Sequence, residues 1–302
     1  MPIIDPEVLA KIGRLDLQAR FIVEGYLSGM HRSPYKGYSV EFAQHRGYVP
    51  GDDIKHLDWK VWGKNERYYI KQYETETNLV CTVLCDTSTS MRYRGSKAHK
   101  QLSKLAWAQL ATAALTYLVV NQSDAIGVGT FADGIGEWLA PSSRKLHLMR
   151  VCAALEKAPN QRRTSIGVSL DALSQRVGRR GIIVVISDFF DDLEPIAKGL
   201  GALRHRGHEV VVIQVLDPDE LTLPFEGMVQ FKGLEAAGEA LCHPRSIRKA
   251  YLEEVDKHLS AVKLACRRNN IDYVQADTSH GVDVVLSAYL ARREHAAASG
   301  GR

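Results

Sequence analysis

The chain changes rhythm near residue 79. From there, short continuous apolar runs alternate with longer stretches in which apolar residues recur at helical spacing. Leu79 to Cys85, "LVCTVLC", and Gly181 to Asp188, "GIIVVISD", are continuous enough to predict strands covered on both faces. "DAIGVGTFAD" predicts a strand between them, with "GIGEWLA" as an antiparallel companion, and "HEVVVIQVLD" and "IDYVQAD" predict two more. Helices are expected over Lys97–Val120, Arg144–Glu156, Ile166–Val177, Pro195–Arg206, His243–Asn269 and Val282–Arg293. The fold class that follows is α/β, a doubly wound and mostly parallel central sheet. Such sheets place function at the carboxyl ends of their strands.

The upstream part reads differently. Val8, Leu9, Ile12, Leu15 and Leu17 recur at roughly helical spacing, and the pattern continues through Phe21, Ile22, Tyr26 and Leu27. A stretch rich in Tyr, Trp, Gly and charge follows, with a strand-like piece at Tyr68–Tyr73 and turns at Pro50-Gly51 and Gly63-Lys64. The expected division is a helical and irregular or β-rich lobe over residues 1–78, the α/β domain over 79–293, and a disordered tail over 294–302. The lobe has too few apolar positions for a core of its own, so it is expected to pack on the domain.

Composition narrows the function classes. A net charge of +4 over 302 residues is small, and much of it sits in local pairs such as Arg162/Arg163 and Arg179/Arg180, so nucleic-acid binding is not implied. The five cysteines, Cys81, Cys85, Cys152, Cys242 and Cys266, form no CxxC pair, which fits a reducing compartment. No apolar run approaches the ~18 residues that would span a bilayer. A cytoplasmic protein with no membrane segment is the expectation.

Candidate chemistry concentrates where the first and second continuous strands end. In "VLCDTSTSM", Asp86, Ser88 and Ser90 place oxygen at every second position, and Asp188 ends the later strand. In "RRTSIGVSL", Thr164 or Ser165 would cap the helix beginning at Ile166. Two carboxylates with hydroxyls form an all-oxygen set suited to Mg²⁺ or Mn²⁺ and unlike the His and Cys sets that zinc prefers. The competing reading is a polar turn and helix cap without an ion. The histidines do not assemble: His205 and His208 flank a turn, and His99, His147 and His258 fall singly on helices, each expected at the surface. No Gly-x-Ser-x-Gly elbow and no Walker Gly-x-x-x-x-Gly-Lys is present.

Asp-x-Ser-x-Ser after a first strand, a Thr before a middle helix and an Asp ending a later strand resemble the metal-ion-dependent adhesion site of von Willebrand factor A domains. That resemblance implies metal ligation by Asp86, Ser88, Ser90, Thr164 and Asp188. The upstream segment "EFAQHRGYVPGDDIKHLDW" resembles the signature of bacterial domain-of-unknown-function family fifty-eight. Arg46, Tyr48, Pro50, Gly51, Asp52, Asp53, Asp58 and Trp59 fit its Arg-x-Tyr-x-Pro-Gly-Asp-Asp and Asp-Trp elements, and Lys55 stands where an Arg is usual. Asp52 and Asp53 are read as internal structural acids rather than a second metal site. The resemblance implies a non-enzymatic, metal-dependent protein-interaction module that captures a partner's carboxylate. Its partner would be a MoxR-type AAA+ ATPase, together with a client protein. The alternative is a metal-dependent phosphate-ester hydrolase using the same acids. Chemistry of the haloacid type would want a second acid where this chain has Ser88.

Overall fold

A computed structural model describes residues 14–30, 45–47, 68–71, 80–95, 102–157, 165–178, 180–233 and 238–299. Two compact units divide the chain: Met1–Ser28 together with Leu79–Arg302, and Gly29–Asn78. In the smaller unit the described residues form two short strands, β1 (His45–Gly47) and β2 (Tyr69–Lys71), paired antiparallel with Arg46 opposite Ile70. The signature positions Tyr48, Pro50, Gly51, Asp52, Asp53, Lys55, Asp58 and Trp59 lie outside the described residues.

The larger unit holds a six-stranded sheet. Its strands are β3 (Val80–Asp86), β4 (Ala125–Phe131), β5 (Ile135–Ser142), β6 (Ile182–Ser187), β7 (Glu209–Leu216) and β10 (Asp272–Asp277), in the order β10-β7-β6-β3-β4-β5. All neighbours are parallel except β5, which runs antiparallel to β4 along one edge. The expected α/β, doubly wound and mostly parallel sheet is what the chain forms. The chain leaves β3 toward β4 on one side and later returns to β6 on the other, so the topological switch falls between β3 and β6.

Both faces of the sheet are covered, which is why its central strands read as unbroken apolar runs. One face carries α1 (Leu15–Met30), α2 (Lys104–Asn121), α3 (His147–Glu156) and α8 (Val282–Ser299). Val83, Cys85, Val184 and Ile186 point to it and meet Ile22, Trp107 and Leu148. The other face carries α4 (Ile166–Arg176), α5 (Leu193–His205) and α7 (Pro244–Arg268). There the alternate residues Leu84, Ile183, Val185 and Val212 pack with Leu170, Leu200 and Val262. Ala19, Ile22 and Val23 sit at i, i+3 and i+4 and are buried in the first cluster, so most of α1 belongs to the sheet unit. A reading by texture alone groups it with the upstream lobe.

Several boundaries differ from the sequence pattern. The first predicted helix begins at Lys104 rather than Lys97, because Ser103 takes the cap position and its hydroxyl accepts from the Ala106 N–H at 3.1 Å. Helix α8 continues through Glu294 and Ala296 to Ser299, so the expected disordered tail from residue 294 is largely helical. Alanine, the best helix former, extends it. Two elements escaped periodicity altogether: the short α6 (Pro218–Thr222) and a hairpin of β8 (Val229–Lys232) with β9 (Glu239–Cys242). No described helix is long and apolar enough to cross a membrane.

Helices α4 and α5 approach closely because each offers a glycine to the other. A Cβ on Gly199 would lie 2.7 Å from the Leu170 Cβ, and one on Gly167 would collide with the Pro195 ring. Gly199→Ala is therefore expected to destabilise the protein by about 1–3 kcal/mol through overpacking, despite alanine's better helix propensity. Urea unfolding checks this, and an unchanged or higher midpoint would show that α4 and α5 separate without cost.

Candidate metal centre

Register places the two acids. In the β3–β6 ladder Cys85 pairs with Ile186, so Asp86 stands level with Ser187 and Asp188 follows one residue later, both acids at the carboxyl ends of adjacent central strands. Asp86, Ser88 and Asp188 are buried, and Ser90 is half-buried, in a single 3₁₀ turn over Ser90–Arg92. Ser88 and Ser90 bring their hydroxyl oxygens to 3.1 Å of one another. Four of the five residues expected to ligate a metal are thus placed on one rim of the sheet. Thr164 lies outside the described residues. Its neighbour Ser165 occupies the cap position of α4 without bonding through its side chain. Asp191, from the loop after β6, does that work instead, accepting from the Ile166 N–H at 2.8 Å.

The two acids are held in different ways. Asp86 accepts from the Ser88 N–H at 2.9 Å and from the Ser187 hydroxyl at 2.6 Å, both neutral donors. Among the described residues no cation pairs with it. Asp188 instead meets the Lys104 ammonium at 2.9 Å, and its other oxygen accepts from the Phe190 N–H at 3.3 Å. Lys104 also reaches Glu220 at 2.6 Å. Burial pulls this lysine's pKa down, but the carboxylates of Asp188 and Glu220 outweigh burial and hold its proton more firmly than in water. Burial lifts Glu220 above the usual carboxylate range in spite of Lys104.

The backbone after Asp188 is bent to fit. Phe189 is buried with φ of 58°, the left-handed region that a bulky side chain rarely adopts. Ser187 Oγ accepts from its N–H at 3.0 Å, and His258 of α7 lies 2.8 Å from its carbonyl oxygen. Strain of this kind, fixed from several sides, gathers at functional sites. The next residue, Phe190, is 37% exposed, with its N–H on Asp188 and its ring centre 5.5 Å from the Lys104 ammonium.

Sequence reasoning missed Ser187, Lys104, Glu220 and His258. Ser187 had a signal, since it directly precedes Asp188 at the end of an apolar strand. Lys104 had a weaker one, a lone cation beginning the apolar stretch "KLAWAQLATAALTYL". Glu220 had none that periodicity could detect. The histidines departed from expectation too: His147 and His208 are buried, not exposed.

The residues present fit a hard dication. Their donors are all oxygen, and Asp86 is a fully buried carboxyl that no cation among the described residues pairs with. Among the described residues no group of three or more His, Cys, Asp or Glu side chains is arranged to hold a metal ion, so hydroxyls would have to complete any shell around the two acids.

Burial, and then the charge of Asp188, lifts the Asp86 carboxyl to about 7, while hydrogen bonds from Ser187 and Ser88 pull it the other way. An acid whose folded pKa is raised holds its proton more tightly folded than unfolded. Stability is then greatest below the unfolded value and falls as pH rises to the folded one. In chelator, the unfolding free energy is expected to decline from about pH 4 to about pH 7, with Glu220 adding to the same trend. Asp86→Asn should flatten the decline; equal slopes for the two proteins in urea titrations would show that Asp86 titrates normally.

The family described as "Protein of unknown function DUF58" matches residues 44–261. Uncharacterized proteins from Mycobacterium tuberculosis and Mycobacterium bovis are 30% identical over 236 residues, which is 77% of this chain and 72% of each relative. Among solved structures, the chain is similar to the conserved hypothetical protein BatB from Bacteroides thetaiotaomicron, at 18% identity and a TM-score of 0.46, covering 71% of this chain and 98% of that one. It is also similar to the SpRpn10 VWA domain, at 11% identity and a TM-score of 0.42, covering 69% and 93%. By the span of the family match and the length shared with the mycobacterial relatives, this chain belongs to the DUF58 family.

Proposed function

We propose that the chain is a non-enzymatic, metal-dependent protein-interaction module. In this reading Asp86, Ser88, Ser90 and Asp188, with Thr164, hold Mg²⁺ or Mn²⁺, and the site captures a carboxylate from a partner. The observation that carries it is the Asp86 carboxylate, completely buried beside Asp188 and answered by neutral donors alone among the described residues. Without a cation this buried acid relieves its charge by holding a proton, as its pKa of about 7 reflects, and a hard cation would take that proton's place. When bound, such an ion supplies positive charge and an open coordination position to an incoming acid.

The chain's own residues do the rest. Ser187 orients Asp86, and the Ser88 N–H holds its other oxygen. Lys104 fixes Asp188. Ser90 is the half-buried member of the set and lies at its opening. Phe190 presents an aromatic face at the rim, a residue type favoured at interfaces. Position 88, where hydrolysis of the haloacid type would want an acid, is a buried serine whose hydroxyl lies against Ser90. The family resemblance points to a MoxR-type AAA+ ATPase as partner, with this chain as its cytoplasmic adaptor toward a client protein.

Three losses are expected to coincide in a pull-down with the ATPase: chelation by EDTA, Asp86→Ala, and removal of the partner's exposed acid. Ser88→Ala should weaken the complex less, since a neutral hydroxyl holds a dication less strongly than a carboxylate does. A complex indifferent to EDTA would move the binding surface elsewhere. Metal-dependent turnover of a phosphate ester, abolished by Asp86→Ala, would establish the hydrolase instead.

A further inference from the structure

Lys104 is an unusual residue to find inside a protein. It is completely buried in the first turn of α2, where the helix dipole disfavours a cation. Its Nζ donates to Asp188 Oδ2 at 2.9 Å and to Glu220 Oε1 at 2.6 Å, and the Phe190 ring centre lies 5.5 Å away. Glu220 is fixed in turn. Its second oxygen accepts from the Asp217 N–H at 2.9 Å within the capping box of α6. The same corner holds the exit of the Asp86–Ser90 loop: Asp217 accepts from the Gly95 N–H at 2.9 Å, and Asp219 from the Tyr93 hydroxyl at 3.3 Å.

Resting on the reading of Asp86 and Asp188 as a cation site, we propose that Lys104 is the site's built-in counter-ion: it occupies one Asp188 oxygen and lowers the affinity for a dication. Glu220 sets how much of the Lys104 charge is left to act on Asp188. The site therefore binds its ion reversibly rather than permanently, as an ion-dependent contact that must form and release requires. Lys104 acts through Asp188 and is a positioning residue, not a ligand.

Charge reasoning gives two variants of opposite sign. Glu220→Gln keeps an oxygen to accept from Asp217 but removes the negative charge that shares Lys104, so Mg²⁺ binding should weaken. Lys104→Met combined with Glu220→Gln removes the competing cation without orphaning Glu220, so Mg²⁺ should bind more tightly than to the wild type. A purely structural role would loosen binding in both. Titration calorimetry of the full chain with MgCl₂, with circular dichroism to confirm folding, reads the effect. The expected changes are a loss of about threefold or more and a gain of about tenfold or more, respectively, as close unit charges in a partly buried site allow.

Weaker or unchanged binding by the folded double variant would overturn the inference while leaving the metal reading intact. If the double variant does not fold, Lys104→Gln with Glu220→Gln takes its place, keeping a neutral donor to Asp188, and weaker or unchanged Mg²⁺ binding there overturns the inference. Binding by the double variant but not by the wild type would support Lys104 as the occupant of the wild-type site and overturn its metal dependence. Absence of binding by both overturns the two readings together.

Discussion

Two carboxylates at the ends of neighbouring buried strands cannot both be charged and dry without help, and that constraint organises this rim of the molecule. Asp86 and Asp188 follow from the register of β3 and β6, the central pair of the sheet. The sheet itself fixes their separation, so neither can move away. What remains adjustable is the company they keep. Asp86 has a hydroxyl and an amide; Asp188 has an ammonium. Among the described residues no cation meets the first acid, whose pKa is lifted to about 7, whereas the second is paired internally with Lys104.

The fold creates this arrangement because its topological switch lies between the same two strands. Loops leaving β3 and β6 diverge to opposite sides, which opens a crevice above the strand ends. Helices on both faces keep β3 and β6 apolar, Thr82 apart, up to Cys85 and Ile186, so Asp86 and Ser187 appear together at one level. Ser187 serves both acids there. Its hydroxyl donates to Asp86 and accepts from the Phe189 N–H, thereby supporting the left-handed turn that follows Asp188. A single small side chain couples the conformations of the two strand ends.

The sheet was largely legible in the sequence because its strands are buried on both faces and its helices are mostly amphipathic. "LVCTVLC" and "GIIVVISD" could hardly be anything but central strands. The hairpin of β8 and β9 was not legible. β8 alternates between half-buried and exposed and β9 is exposed up to its last residue, a pattern too weak to stand out from a loop. Asp86, Ser88, Ser90 and Asp188 were legible because side chains spaced by two at a strand's end can meet. Lys104 and Glu220 were not, because they come together only after α2 and the β7–α6 corner are in place, 116 residues apart in the chain. Nor could the capping of α4 be assigned: Thr164 and Ser165 were local candidates, whereas Asp191 reaches Ile166 from another loop.

Local burial, rather than total charge, decides what this site can do. The chain's net charge of +4 is spread over a surface where pairs such as Arg245 with Glu226, at 2.7 Å, are fully wet and screened. Lys104 with Asp188 is of similar length but shielded from water, so its charges act on their neighbours with far less attenuation. A doubly wound sheet hosts many unrelated functions. The distinguishing feature here is an imbalance within a few buried groups: one acid matched by a lysine and one matched by none among the described residues. An acid left in that state favours whatever cation can reach it, and the half-buried Ser90 and exposed Phe190 mark the side from which a partner could reach it too.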